Sequence, residues 1–274
     1  MIGDTSTERP ALRPPGADAL LGRPAAAYNA AVDLREDRMA PEGPAGNIRP
    51  TQISAEGAQL HLGSGPYAEP GWINVDKSRT PAISRIRPLV RMLARVGVLT
   101  EQQRNTIWPR EVIRRDLSKP LPWGDNTAKA IYSSHMVEHF ERAEAQRLLG
   151  ECLRVLAPGG VLRLVLPDVQ VGVRVYLQQK EAGNPRAADE LVGSLFYTAY
   201  GDMPRLRRLA TGLLHRPHRW MYDIDSMRAV LSEVGFSPIQ ECAFRRGACP
   251  DLATIEIRDG VDEAASFYVE AFKT

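Results

Sequence analysis

The chain has 274 residues, of which 43% are hydrophobic and 25% charged, and its formal net charge is +2. This is the composition of a soluble globular protein long enough for one large core, and it supplies no global field to gather nucleic acid, so any acidic partner must be met locally. Cys152, Cys242 and Cys249 form no C-x-x-C pair and read as reduced thiols; MIGDTSTERP lacks the apolar core of a secretory signal, and no apolar run reaches about 18 residues, so a cytoplasmic protein without a transmembrane segment is expected.

In chain order, residues 1–50 are rich in Pro, Gly and Ala without a sustained apolar period, and they read as a mobile arm. A short helix over about 24–38, folded across a site as a lid, is the alternative. Residues 51–274 read as the main domain. Within it, LHLGSGPYAEPGWINVD (60–76) runs from an apolar strand through a glycine turn to a second strand closed by a carboxylate. Gly63 and Gly65 allow a tight turn and close approach of a ligand, and Asp76 can accept from both hydroxyls of a ribose. Only Pro66 to Gly71 separate the turn from Trp72, too few for the roughly 10 to 12 residues of a crossover helix. No third glycine at the dinucleotide spacing and no Gly-Lys-Ser/Thr follow, so the ligand should have a ribose but need no phosphate grip.

From Gln59 onward strands and helices alternate, which predicts a parallel sheet covered on both faces. Strands are expected near 59–63, 72–76, 112–116, 129–134 and 160–166. A helix over 144–156 carries Leu148, Leu149, Cys152, Val155 and Leu156 on one face and stops at Pro158-Gly159-Gly160. Another begins at Asp223 or Asp225 and ends at Gly235. Two last strands, about 238–246 and 265–272, have no helix between them and should pair antiparallel. Insertions at about 77–110 and 169–217 stand where substrate caps usually sit. In the first, Arg87, Arg91 and Arg95 recur on one helical face opposite Ile86, Leu89, Val90, Leu93 and Val96. That is a solvated face, or else a surface for peripheral contact with an anionic lipid or phosphorylated substrate. The second should be helical and contains Arg205, Arg207 and Arg208.

Together these segments resemble the class I methyltransferases that use S-adenosylmethionine. LHLGSGPYAEPGWINVD is similar to the family's first motif and acidic second strand, RRDLSKPLPWGDNTAKAIYSSHMVEHF to the adenine-side acid and fourth strand, and LRVLAPGGVLRLVLPD to the fifth-strand motif. The GWINVD and SSHMVEHF forms, with HRWMYDIDSMRAVLSEVGF and SFYVEAFK, resemble a bacterial branch that often acts in glycan, lipopolysaccharide or secondary-metabolite pathways. The missing third glycine departs from the common motif and suits that branch. The resemblance implies a Rossmann-like α/β sandwich: a mostly parallel seven-stranded sheet with an antiparallel last strand and helical cap insertions. It implies S-adenosyl-L-methionine as cofactor, with Gly63 and Gly65 near the methionine part, Asp76 at the ribose, Asp116 and Leu117 bordering the adenine, and Ser64 and Ser134 completing the set.

A sulfonium methyl is already activated, so such a protein mainly aligns an acceptor and excludes water, and no metal is required. An alcohol acceptor benefits from a base near neutral pKa. His135, ending the fourth strand, is the first candidate base or positioning group; His218, in the HRWMYD segment, and Asp168, after the fifth strand, are the others, with helix capping as the competing role of Asp168. His139 reads as structural, His61 as sheet packing, and His215 as a neighbour of His218 in the same loop. His135 to His139 spell H-x-x-E-H, the order of inverted zinc proteases, but the first histidine ends a strand and no distant third ligand is obvious, so no metal is assigned. The expected activity is O-methylation of a sugar, glycoside or small natural product. N- or carboxylate methylation and a non-catalytic nucleoside-binding scaffold remain alternatives. Nucleic acid is not an expected partner; RNA methylation would have only the arginine stripes in its favour.

Overall fold

The computed structural model describes residues 57–77, 92, 95, 109–196, 217–256 and 265–274. Seven strands form one sheet in the order β3-β2-β1-β4-β5-β7-β6. They are β1 (Ala58–Leu62), β2 (Ile73–Asp76), β3 (Ile113–Arg114), β4 (Ala128–Ser134), β5 (Leu156–Pro167), β6 (Ile239–Cys242) and β7 (Ser266–Phe272). The first five run parallel, whereas β7 lies antiparallel between β5 and β6. This is the mostly parallel α/β architecture with an antiparallel last strand that the sequence implies. The chain starts at β1, steps outward to β3 and returns to β4, so the strand order reverses between β1 and β4. The crevice over the carboxyl ends of an open parallel sheet opens at such a reversal.

The residues of β5 show how two cores share one sheet. Leu162, Leu164 and Leu166 face α1 (Arg142–Val155) and α4 (Ile224–Val234), packing with Leu148, Leu149, Met227 and Leu231. The intervening Val161 and Val165 join Trp72, Tyr132, Cys249, Leu252 and Tyr268 on the other face. The period of two along the strand and the i, i+3, i+4 spacing on the helices account for both layers. Between α1 and α4 the chain forms α2 (Val169–Glu181) and α3 (Ala187–Phe196), which pack on each other and are the described part of the helical second insertion.

Several boundaries differ from the sequence expectation. The α1 helix begins at Arg142 because Glu141 and Glu144 close a capping box. It ends before Leu156, which already pairs with Ala128; the register then slips, and Ala157 to Gly160 bulge out before pairing resumes at Ala130 and Val161. β3 has two residues rather than five, since Arg115 and Asp116 peel away after one register pair beyond Val75. β6 ends at Cys242 rather than near 246, and a four-residue helix, α5 (Leu252–Ile255), interrupts the last connection where none is expected. The physical reason is Arg163. It is fully buried, donates to Glu256 Oε1 at 2.8 Å and to the carbonyls of Ala243 and Arg246, and draws that loop onto the sheet. As expected, no helix occupies 63–72 between β1 and β2. The arm at 1–50, Arg87 and Arg91 of the basic stripe, Arg205, Arg207 and Arg208, and His215 lie outside the described residues; Arg95 is exposed.

Candidate functional site

The sequence-predicted residues come together along the carboxyl ends of successive parallel strands. Gly63, Ser64 and Gly65 follow β1, Asp76 ends β2, Asp116 and Leu117 follow β3, Ser134 and His135 close β4, and Asp168 follows β5. The β1 turn is held by the amides of Gly63 and Ser64, both donating to the Val75 carbonyl at 2.8 and 3.1 Å. The Gly65 amide donates to Asp76 Oδ2 at 3.0 Å, so the turn and the acid form one unit. Both glycines take left-handed backbone, φ 76° and 55°, yet they serve different ends. A Cβ on Gly63 would run into the Met136 side chain, 2.7 Å from its Cβ, whereas a Cβ on Gly65 would meet nothing within 4 Å. Gly63 therefore lets the β1 turn close on the β4 exit, and Gly65 leaves space above the turn.

Asp116 has a shaped environment. Lys77 Nζ at 2.6 Å and the Ser118 hydroxyl and amide at 2.7 and 3.1 Å all bond to Oδ1, while Oδ2 accepts no hydrogen bond among the described residues. Burial pushes this carboxyl up, but the Lys77 and Ser118 bonds outweigh it and hold the group at about 2. Beside it, Leu117 is buried. These residues fit S-adenosylmethionine on two counts: the open space over Gly65 and the acid locked to that turn. Ser134 is half-buried, and its hydroxyl hydrogen-bonds the buried Tyr132.

Past β4 the chain turns sharply. His135 takes left-handed backbone at φ 49°, a conformation that costs a β-carbon-bearing residue on the order of 1–2 kcal/mol. Its Nε2 lies 3.2 Å from Ser266 Oγ and its Nδ1 3.7 Å from Glu138 Oε1. A single 3-10 turn, Val137–His139, then presents Glu138 inward, fully buried, with neither carboxylate oxygen hydrogen-bonded. Burial lifts its pKa to about 8 against a weaker pull from its own amide.

His218 reaches the same spot from far along the chain, its Nε2 3.9 Å from Glu138 Oε1. The amides of Arg219 and Trp220 both donate to the Glu138 carbonyl, which fixes that approach. The His218 Nδ1 donates to the Leu195 carbonyl at 2.7 Å, and burial lowers its pKa against that bond. His139 Nδ1 donates to the Pro217 carbonyl at 3.2 Å, and its ring meets that of His218 edge-on at 5.0 Å. Tyr222, whose buried hydroxyl lacks a partner, has its pKa raised by burial to about 12.

The sequence names His135 and His218 as candidates and misses Glu138, which the structure places beside both. The available signal was H-x-x-E-H itself, whose Glu138 and His139 the fold brings to His218 while His135 stays outside that trio. Asp168 is seen capping α2, accepting from the Gln170 amide at 2.9 Å, with its pKa raised mainly by burial. His61 packs inside the sheet, bonded to Asn74 at 3.2 Å and edge-on to Tyr132.

A family model described as a methyltransferase domain matches residues 86–164, a range that holds β3, β4, α1 and most of β5 but begins after Asp76. No curated protein matches the chain. Similar solved structures include an S-adenosylmethionine-dependent methyltransferase from Thermotoga maritima, 17% identical over 81% of this chain and 84% of that one, with a TM-score of 0.40. Another from Methanosarcina mazei is 14% identical over 79% and 92%, with a TM-score of 0.42. Human N-acetylserotonin methyltransferase is 15% identical over 79% and 47%, with a TM-score of 0.37. Likenesses this loose argue nothing about an acceptor. The matched model and the strand order support a class I methyltransferase, with S-adenosylmethionine as its cofactor.

Proposed function

We propose that the chain transfers a methyl group from S-adenosylmethionine to a hydroxyl of a sugar, glycoside or other small hydroxylated molecule. The observation that carries this reading is His135, held in left-handed backbone where β4 opens on the crevice, with Nδ1 beside the buried Glu138 carboxyl. Strained backbone at a strand end is where a reacting side chain is aimed rather than merely packed. When bound, S-adenosylmethionine supplies an already activated methyl carbon on a sulfonium sulfur. Asp76 would hold the ribose hydroxyls, Asp116 would accept from the exocyclic amine of the adenine, and the turn at Gly65 would admit the methionine part. His135 would orient the acceptor hydroxyl and take its proton at Nδ1 while Ser266 Oγ holds Nε2, and the imidazolium so formed would draw the neighbouring Glu138 carboxyl, which burial keeps largely protonated, toward its ionised form. The methyl group so supplied would pass to the acceptor oxygen that His135 deprotonates, with S-adenosylhomocysteine as the by-product.

The test is turnover against a panel of sugar, glycoside and phenolic acceptors, followed as S-adenosylhomocysteine formed. His135→Asn is expected to lower kcat about 100-fold or more, the usual contribution of a positioned base, while S-adenosylmethionine binding measured by calorimetry stays within a few-fold. Cofactor binding with no product from any acceptor class would favour a nucleoside-binding scaffold. Product formed only from amines or carboxylic acids would move the reading to N- or carboxylate methylation.

A further inference from the structure

We propose that Glu138, His139 and His218 form a binding site for one first-row divalent transition-metal ion, of the two-imidazole, one-carboxylate kind that suits zinc, cobalt or manganese. One ligand atom from each residue lies within 4.8 Å of the others. Two independent observations point to a cation rather than a packed polar cluster.

The first is Glu138. A fully buried carboxyl whose two oxygens both lack a hydrogen bond is rare, since burial without a partner costs about 1–3 kcal/mol or more; buried carboxylates are normally paired or bound to metal.

The second is how the imidazoles are held. His139 Nδ1 and His218 Nδ1 each donate to a backbone carbonyl, of Pro217 and of Leu195. A carbonyl only accepts, so each neutral ring carries its proton on Nδ1 and its lone pair on Nε2. The Nε2 of His218 is the atom turned toward Glu138 Oε1. This is the outer-shell arrangement that fixes tautomer and ring orientation in metal-binding histidines. Ligand bonds of about 2.0–2.1 Å to a tetrahedral ion place neighbouring ligand atoms roughly 3.4 Å apart. The observed 3.9 Å between His218 Nε2 and Glu138 Oε1 then needs to shorten by only about half an ångström. The tether that brings His218 in, from the Arg219 and Trp220 amides to the Glu138 carbonyl, is already closed.

Three protein ligands leave at least one coordination position for water or for an oxygen of a small molecule. His135, with Nδ1 at 3.7 Å from Glu138 Oε1, stands beside the trio and outside the ligand set. The ion site stands whatever reaction the protein performs. Only its use, to hold an acceptor hydroxyl as a Lewis acid beside His135, rests on the methyl-transfer reading.

The full-length chain, purified without a metal-affinity step and stripped with a chelator, would be titrated by calorimetry with Zn2+, Co2+ and Mn2+, with Mg2+ as the control that imidazole ligands disfavour. The expected result is one-to-one binding of at least one of the first three, with Co2+ giving visible absorption bands shaped by imidazole ligands. Glu138→Gln and His218→Ala should each weaken it at least roughly 100-fold, and His135→Asn should leave it unchanged. S-adenosylmethionine binding, measured alongside, reports that each variant is folded. If a variant fails to fold, the wild-type titration with its Co2+ spectrum decides alone. No stoichiometric binding of Zn2+, Co2+ or Mn2+ to the wild-type chain, or binding that survives both Glu138→Gln and His218→Ala, overturns the site. Metal binding without S-adenosylmethionine binding would sink the methyl-transfer reading and leave the ion site standing.

Discussion

Gly63 and Gly65 look alike in the sequence, as two glycines of one turn, and the structure separates them. Gly63→Ala adds left-handed strain and an overlap with Met136, so it should cost about 2–4 kcal/mol of stability, read as a lower urea midpoint. Gly65→Ala meets no neighbour, and its strain alone costs about 1–2 kcal/mol. Its larger effect should be a loss of S-adenosylmethionine affinity on the order of tenfold, since the new methyl projects into the space over the turn. Equal effects of the two substitutions on both quantities would contradict this division. His61 offers a test in pH. Burial holds its pKa at about 4, the Asn74 bond pulling weakly the other way. Because the folded value lies below the unfolded value of about 6.5, the unfolded chain binds more protons in between. This histidine therefore costs nothing above about pH 6.5 and removes about 3 kcal/mol of stability as pH falls to about 4. Urea unfolding across that window should show a steeper decline for the native chain than for His61→Asn.

At the scale of elements, what was legible depended on how local the cause is. Asp223 at the start of α4 and the left-handed Gly235 at its end are written in neighbouring residues, and both are found as expected. The β1 turn was legible too, since six residues between Gly65 and Trp72 leave no space for a helix. Arg163 was not. In VLRLVLP it interrupts an apolar run, and nothing nearby reveals that its partner Glu256 lies 93 positions away or that Glu270 stands 3.6 Å off. The same nonlocality hid α5 and the early end of β6. Arg163→Met should cost about 3–5 kcal/mol, because two buried carboxylates lose their cation. Adding Glu256→Gln and Glu270→Gln should recover much of that in chemical denaturation; no recovery would mean that the guanidinium matters through packing rather than charge. The His218 approach to Glu138 was illegible for the same reason, since only the fold brings residues 80 positions apart together.

For the whole molecule, the strand order places Asp76, Asp116 and His135 along the carboxyl ends of the sheet, on both sides of its reversal. A ligand that spans these ends binds only the folded chain, so it should stabilise against heat. At 100 times its dissociation constant, S-adenosylmethionine is expected to add about 2.7 kcal/mol, which scanning fluorimetry would read as a rise in Tm. Asp76→Ala should weaken binding by about 1.5–3 kcal/mol and remove most of that rise at the same concentration. An undiminished rise would place the ribose elsewhere. Among the described residues no helix is long and apolar enough to cross a membrane.

The carbonyl of Glu138 takes both the Arg219 and the Trp220 amide, so one peptide oxygen fastens a distant stretch of backbone to the mouth of the sheet. Whatever shifts that stretch carries an imidazole with it and bares the glutamate beneath. Two amides and an imidazole are in this way hung from a single peg, and a change at residues 217–220 should be felt at Glu138.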